Sequence, residues 1–269
     1  MISVPQGRRK YGDADGYDSY MGGWSAALSP PFLDFVGVEG AARVLDIGCG
    51  TGNLLVALAA EYPRTTLVGV DPSRSLLSKA QTRPELAAAM LLEGYVERLP
   101  IDTGTVDYTL SMLVLQEFSD RPLALKEMRR VTRPGGVVAA CQWDFAKMPV
   151  IEALIEAIAL VNPKAGRRIW TNSPSVFADE AELLRYWDRA GFVQLKAGRI
   201  AVERRFADFS QLWSPLLAGS TPSTLTLASL PPEEREAVRG IMQARFTANS
   251  PDGALLVTAE ALVVRGRSA

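Results

Sequence analysis

Val44-Leu45-Asp46-Ile47-Gly48-Cys49-Gly50-Thr51-Gly52-Asn53 is the stretch that decides the fold. An apolar run ends in three alternating glycines, and Leu54-Leu55-Val56-Ala57-Leu58-Ala59 continues as a helix. Strand, tight turn and helix start, in that order, form a nucleotide-binding βα unit. Glycine is required where a side chain would hold the backbone away from a ligand or demand a strained φ. The helix start behind the turn offers unpaired N–H groups and a partial positive charge. The next apolar run, Thr66-Leu67-Val68-Gly69-Val70-Asp71, ends in an acid placed to accept two ribose hydroxyls.

Dehydrogenases share this layout, but the wording here is narrower. Asp46 precedes the first glycine by two residues, and the spacing is G-x-G-x-G rather than G-x-G-x-x-G. This resembles the class I S-adenosylmethionine-dependent methyltransferases. The likeness continues through Gly69-Val70-Asp71-Pro72-Ser73, Glu97-Arg98-Leu99-Pro100, Val106-Asp107 and Arg133-Pro134-Gly135-Gly136, and so spans about residues 43 to 145. The bland alternative is a Rossmann-like domain without a cofactor.

Composition narrows the classes further. Of 269 residues 48% are hydrophobic, enough for a sizeable core, and the formal net charge is -1. A broad nucleic-acid-binding face is not indicated. Cys49 and Cys141 match no metal or disulfide spacing, so no metal site is expected. Arg8-Arg9-Lys10 is followed by no apolar run of signal-peptide type, and no uninterrupted apolar stretch reaches membrane-spanning length. The expectation is a soluble cytoplasmic chain without a membrane partner; nothing in the sequence gives an oligomeric state. There is no histidine.

Apolar runs alternate with helical patterns, which predicts a parallel sheet covered on both faces. Strands are expected near 43–48, 66–71, 89–94, 105–112 and 136–143, with helices near 52–61, 73–81 and 120–131. Before them, residues 1 to 16 read as a mobile tail, Tyr17 to Ser25 as an aromatic-rich segment, and Ser29-Pro30-Pro31 as a capped helix start. Ile151, Leu154, Ile155 and Ile158 form one helical stripe. Asp179-Glu180-Ala181-Glu182 reads as a capping box, and Leu183, Leu184 and Trp187 as a core helix ended by Gly191. A strand at 192–203 follows, then a Ser/Thr/Pro/Gly loop at 219–224. A helix after Pro231-Pro232 buries Val238, Ile241, Met242 and Phe246, and a last strand covers 255–264.

The resemblance implies an α/β, Rossmann-like, doubly wound and mostly parallel seven-stranded sheet, with the last strand antiparallel and helical cap insertions added. It implies one methyltransferase domain over 1–269. Its parts are an N-terminal lid at about 1–40, a core at about 41–145, and cap insertions at about 146–178 and 206–253. The implied activity is methyl transfer from S-adenosylmethionine to an unidentified small molecule. A cofactor-binding protein without turnover, a sensor or partner subunit, is the alternative.

Family likeness carries the cofactor residues position by position. Gly48, Cys49 and Gly50 pass under the amino acid tail and ribose, Asp71 takes the ribose hydroxyls, and Pro72 packs on the adenine. Asp46 either lies near the amino acid end or holds the turn. Tyr95 stands where the family usually has an acid, which leaves the Val96 N–H for an adenine ring nitrogen. Ser111, on the fourth strand, completes the cofactor set. With no histidine there is no histidine base, and Gln116, Glu117 and Asp144 are the catalytic candidates at strand ends. Tyr20, Trp24 and Trp143 are candidate lid and substrate residues. Tyr17, Trp170 and Trp213 are further aromatics that either line a pocket or pack the cap.

Overall fold

The run from Val44 forms β1, Arg43–Ile47, in a computed structural model. Residues 14–40, 42–144, 147–171, 177–218, 221–248 and 253–269 are described. Before β1 come α1 (Ala14–Tyr17), a π-turn at Asp18–Gly22 and α2 (Gly23–Val36). After it follow α3 (Asn53–Glu61), β2 (Thr66–Asp71), α4 (Arg74–Gln81), β3 (Met90–Glu93), β4 (Val106–Met112), α5 (Arg121–Val131) and β5 (Thr132–Trp143). The later part holds α6 (Pro149–Val161), α7 (Pro163–Thr171), α8 (Glu180–Arg189) and β6 (Phe192–Phe206). It ends with α9 (Phe209–Trp213), α10 (Pro222–Ser229), α11 (Pro232–Thr247) and β7 (Leu255–Ser268).

Seven strands form one sheet in the order β3-β2-β1-β4-β5-β7-β6. β1 to β5 pair in parallel, and β7 runs antiparallel between β5 and β6. The strand order reverses between β1 and β4. Open α/β sheets bind ligands at such a switch point, outside the carboxyl ends of the strands. Pleat alternation sends Val44, Leu110, Cys141 and Val263 to one face, with α2, α3 and the helices of the late insertions. Leu45, Val138, Ala140 and Leu262 go to the other face, against α5 and α8.

Local signals explain most of the boundaries. Ser73 Oγ and Asp120 Oδ1 accept N–H bonds at the starts of α4 and α5. Asp179 accepts from the Glu182 N–H at 2.7 Å, and Gly191 takes the left-handed φ of +81° behind α8. Glu182 reaches back to the Ala178 N–H rather than to that of the cap residue, a one-residue variant of the expected box. Within β5, Gly136 has no room for a side chain, since a Cβ would stand 2.7 Å from the Asp107 carbonyl oxygen. Among the described residues no helix is long and apolar enough to cross a membrane.

Four expectations are corrected. Residues 14–16 are helical rather than tail. Ser29 is no cap: α2 runs straight through Pro30 and Pro31, and the Ser29 hydroxyl donates to the Ser25 carbonyl at 2.8 Å. Two prolines remove two ladder donors, yet Trp24, Leu28, Phe32, Leu33 and Val36 are all buried by the longer helix. Burial at roughly 1.5–3 kcal/mol per large side chain outweighs the lost bonds. Residues 222–224 are the first turn of α10 rather than loop, because Thr221 and Thr224 form a reciprocal capping box. Ile241 is exposed; only Val238 and Met242 of α11 are fully buried.

Candidate active site

The glycine turn leaves the carboxyl end of β1 with Gly48, Gly50 and Gly52 at φ of +70°, +54° and +85°. These are left-handed conformations that side chains resist. The Gly48 and Cys49 N–H groups both donate to the Val70 carbonyl, at 2.7 and 3.2 Å, which ties the turn to β2. A Cβ on Gly48 would stand 2.6 Å from a Val114 methyl. The Cys49 thiol is buried against Gly69, and burial raises its pKa well above the usual thiol range, so it is inert.

Asp71 ends β2 beside this turn. Its Oδ2 accepts the Gly50 N–H at 2.9 Å and its Oδ1 the Ser73 N–H at 2.8 Å. Burial raises its pKa, and the two N–H bonds oppose that rise. Asp46, within β1, is fully buried, and its Oδ1 has no hydrogen-bond partner. Burial first, and the Asp71 charge second, push its pKa up to about 8. A buried polar atom without a partner is costly and rare, so this oxygen marks a place where a donor belongs.

The N-terminal segment lies directly on the turn. Tyr17 covers Gly50, whose Cβ position is 3.6 Å from the ring. Asp18 accepts the Thr51 hydroxyl at 2.6 Å and lies 3.5 Å from the Arg83 guanidinium. Tyr20 is buried, with the Thr221 side chain at the start of α10 near its hydroxyl, which brings this segment against the late insertion. Trp24 meets Trp143, the last residue of β5, edge to face at 6.1 Å between centroids. The Trp143 indole N–H is buried without a partner. Tyr20, Trp24, Met148, Phe206, Leu212 and Leu216 surround a cavity of about 30 Å³, room for one water. Trp213 is elsewhere, stacked on Phe209 inside the insertion core, and the Trp170 side chain lies outside the described residues.

At the carboxyl end of β4 the backbone turns sharply, with Leu113 at φ +65°, a strained value for a leucine. Gln116 donates to the Leu113 carbonyl at 2.7 Å while its Oε1 is buried and unpartnered. Glu117 is half-buried at the end of the following short 3₁₀ turn. Asp144 is ion-paired with Arg199 of β6, so it sits on the outer side of the strand end in a charged network. Ser111 donates to the Ile47 carbonyl at 3.2 Å inside the sheet, which gives its hydroxyl a strand-linking role. Pro72 is exposed, Val96 is buried, and Tyr95 makes an isolated bridge to Arg98. That loop is clamped from below: Arg130 donates to the Leu99 and Ile101 carbonyls while Glu127 accepts the Leu99 N–H. Asp107 lies at the opposite end of the sheet, on the Arg43 N–H and Arg133.

Asp18, Val114, Phe206 and Arg204 were not singled out by sequence reasoning. Asp18 and Val114 stood next to residues that were; Arg204 had no motif around it.

Residues 44–136 match the methyltransferase domain family. A ubiquinone/menaquinone biosynthesis C-methyltransferase of Syntrophotalea carbinolica is 29% identical over 166 residues, covering 58% of this chain and 70% of that protein. Among solved structures, the Haemonchus contortus phosphoethanolamine N-methyltransferase 2, in complex with S-adenosyl-L-methionine, aligns with a TM-score of 0.58 at 16% identity. That alignment covers 95% of this chain and 57% of that one. The [4+2]-cyclase SpnF aligns at 0.57 and 19% identity, over 98% of this chain and 88% of that one, so the fold also hosts other chemistry. The seven-stranded fold and the glycine turn define a Rossmann-like cofactor-binding enzyme. Over residues 44–136 this chain carries a match to a methyltransferase domain, and there it resembles the class I S-adenosylmethionine-dependent methyltransferases.

Proposed function

We propose that the chain methylates a small molecule held between its N-terminal segment and its late helical insertion. The carrying observation is the unpartnered, buried Asp46 oxygen beside three left-handed glycines. A carboxylate waiting for a donor, next to a backbone that no side chain obstructs, fits an amino acid tail carrying an ammonium group. Asp71 fits the ribose diol: each carboxylate oxygen accepts one N–H and keeps a second acceptor site. Pro72, Tyr95 and Val96 would meet the adenine, and Gly48, Cys49 and Gly50 the tail and ribose. Tyr20, Trp24 and Trp143 would cover the methyl acceptor. Bound S-adenosylmethionine supplies an electrophilic methyl group on a sulfonium. Methyl transfer is an in-line displacement, so this chain's main contribution is alignment. Asp144 is occupied by Arg199 and is not a free base. The relative named for quinone C-methylation makes a hydroxylated aromatic ring one candidate acceptor, and the apolar, aromatic lining around Trp24 and Phe206 suits that class.

Calorimetric titration with S-adenosylhomocysteine, the demethylated product, tests the reading. The wild type should bind it, and Asp71→Ala should lose at least about tenfold in affinity, since a hydrogen bond to a charged group contributes roughly 1.5–3 kcal/mol. Unchanged affinity would remove Asp71 from the site. Incubation with labelled S-adenosylmethionine and a pool of phenols and aromatic acids should transfer label; binding without any transfer would favour a sensor.

A further inference from the structure

Arg204 of β6 enters the same cavity as its single charged side chain among the described residues. Its guanidinium carbon lies 5.2 Å from the Trp24 ring centroid and 4.8 Å from that of Phe206. Gly23 makes room for it, since a Cβ there would stand 2.4 Å from a guanidinium nitrogen. Among the described residues it forms no ion pair and no hydrogen bond, unlike Arg130, Arg133, Arg199 and Arg245. It is half-buried, and burial alone lowers its pKa.

Two ring faces attract the cation, but they accept none of its five N–H donors. Withdrawing a charge from water is unfavourable unless something charged answers it. On this strand Val202 and Phe206 are buried on the same side as Arg204, an apolar setting for a guanidinium. Trp24, which the guanidinium covers, touches Trp143 at the carboxyl end of β5, so the cation is one ring away from the strand ends where the reaction would occur.

We propose that Arg204 binds an anionic oxygen of the methyl acceptor, which is then a largely apolar, planar molecule bearing a carboxylate or phenolate. The proposal rests on the methyl-transfer reading and on this cavity, which as it stands has room for one water, widening into the acceptor site when the Tyr17–Gly22 segment opens. The guanidinium fork fits either group, and Trp24, Phe206 and Met148 supply the apolar walls.

The test uses 2-naphthoate and its neutral isostere 2-naphthamide, titrated into the full chain with and without saturating S-adenosylhomocysteine. The wild type should bind the anion at least about tenfold more tightly than the amide, as a charge-assisted hydrogen bond predicts. Arg204→Met should bring the two affinities within about twofold, and Arg204→Lys should keep a preference for the anion. Circular dichroism and the unchanged affinity for S-adenosylhomocysteine check that the variants are folded. Equal affinities in the wild type, no binding of the anion, or a preference that survives in Arg204→Met would each overturn the proposal. Failure of S-adenosylhomocysteine to bind, with the Arg204-dependent preference intact, would overturn the methyl-transfer reading, and with it the acceptor's role, while leaving Arg204 as an anion-binding group.

Discussion

Asp46 is the residue at which folding and binding oppose each other. Burial and the neighbouring Asp71 push its pKa from the usual 3.8 to about 8. Between those values the folded chain holds a proton that the unfolded chain has released, so stability falls as pH rises through that window. The raised Asp71 acts with the same sign. Each such proton is worth up to about 1.4 kcal/mol per pH unit. The melting temperature of the free protein should therefore drop between pH 5 and 8, and Asp46→Asn should flatten much of that slope. An ammonium group favours the ionised carboxylate, so ligand binding near neutrality should expel a proton. Calorimetry in buffers of different ionisation enthalpy reads that proton; a value of zero would separate Asp46 from the amino acid tail.

At the scale of elements, the segment from Tyr17 to Trp24 is built to move or built to pack, and its ties decide which. On the glycine turn it has the Tyr17 ring over Gly50, the Asp18–Thr51 hydrogen bond and a long Asp18–Arg83 pair. Such ties amount to about 1–3 kcal/mol, low enough for local opening. Trp24, by contrast, is anchored in the core with the rest of α2. The π-turn at Asp18–Gly22 separates the two, and irregular turns of this kind occur at functional sites. Amide exchange from 17 to 22 should slow at least about tenfold when S-adenosylhomocysteine binds, with little change beyond 24. Equal exchange in both states would make the segment a fixed part of the wall.

Across the whole molecule, Arg199 gathers Asp144 from the end of β5, Glu180 from α8 and Glu260 from β7. It thereby joins the antiparallel edge of the sheet to the parallel half. The pairs are partly exposed, so solvent screening limits each to about 1 kcal/mol or less. Asp144→Asn should lower stability slightly and leave turnover within about tenfold, and Glu117→Gln should likewise leave substantial turnover. A carboxylate base predicts a loss of about 10²–10⁴-fold. Steady-state rates for both variants, with cofactor affinity checked, distinguish the two. A collapse in either would name the base.

Short-range physics made the local turns, caps and stops legible from their residues. The turn at Gly48 to Gly52, the acid ending β2, the cap at Asp179 and the stop at Gly191 each depend on a few consecutive residues, whose spacing alone carries the geometry. Alternating apolar runs added the sheet, because the pleat sorts side chains by parity. Long-range packing decided what spacing cannot carry. α2 passes through Pro30-Pro31 because distant core accepts its buried face, and its end is held by Arg265, 229 residues away, on the Val36 carbonyl. Asp144 reads as a strand-end carboxylate, but only the fold brings Arg199 beside it, and only the sheet sets the Ser111 hydroxyl on the Ile47 carbonyl. Arg204, an ordinary basic residue in Glu203-Arg204-Arg205, becomes a half-buried cation between Trp24 and Phe206 only once β6 folds back over the N-terminal helix. Desolvation and charge pairing belong to the assembled surroundings, and those come from residues far apart in the chain.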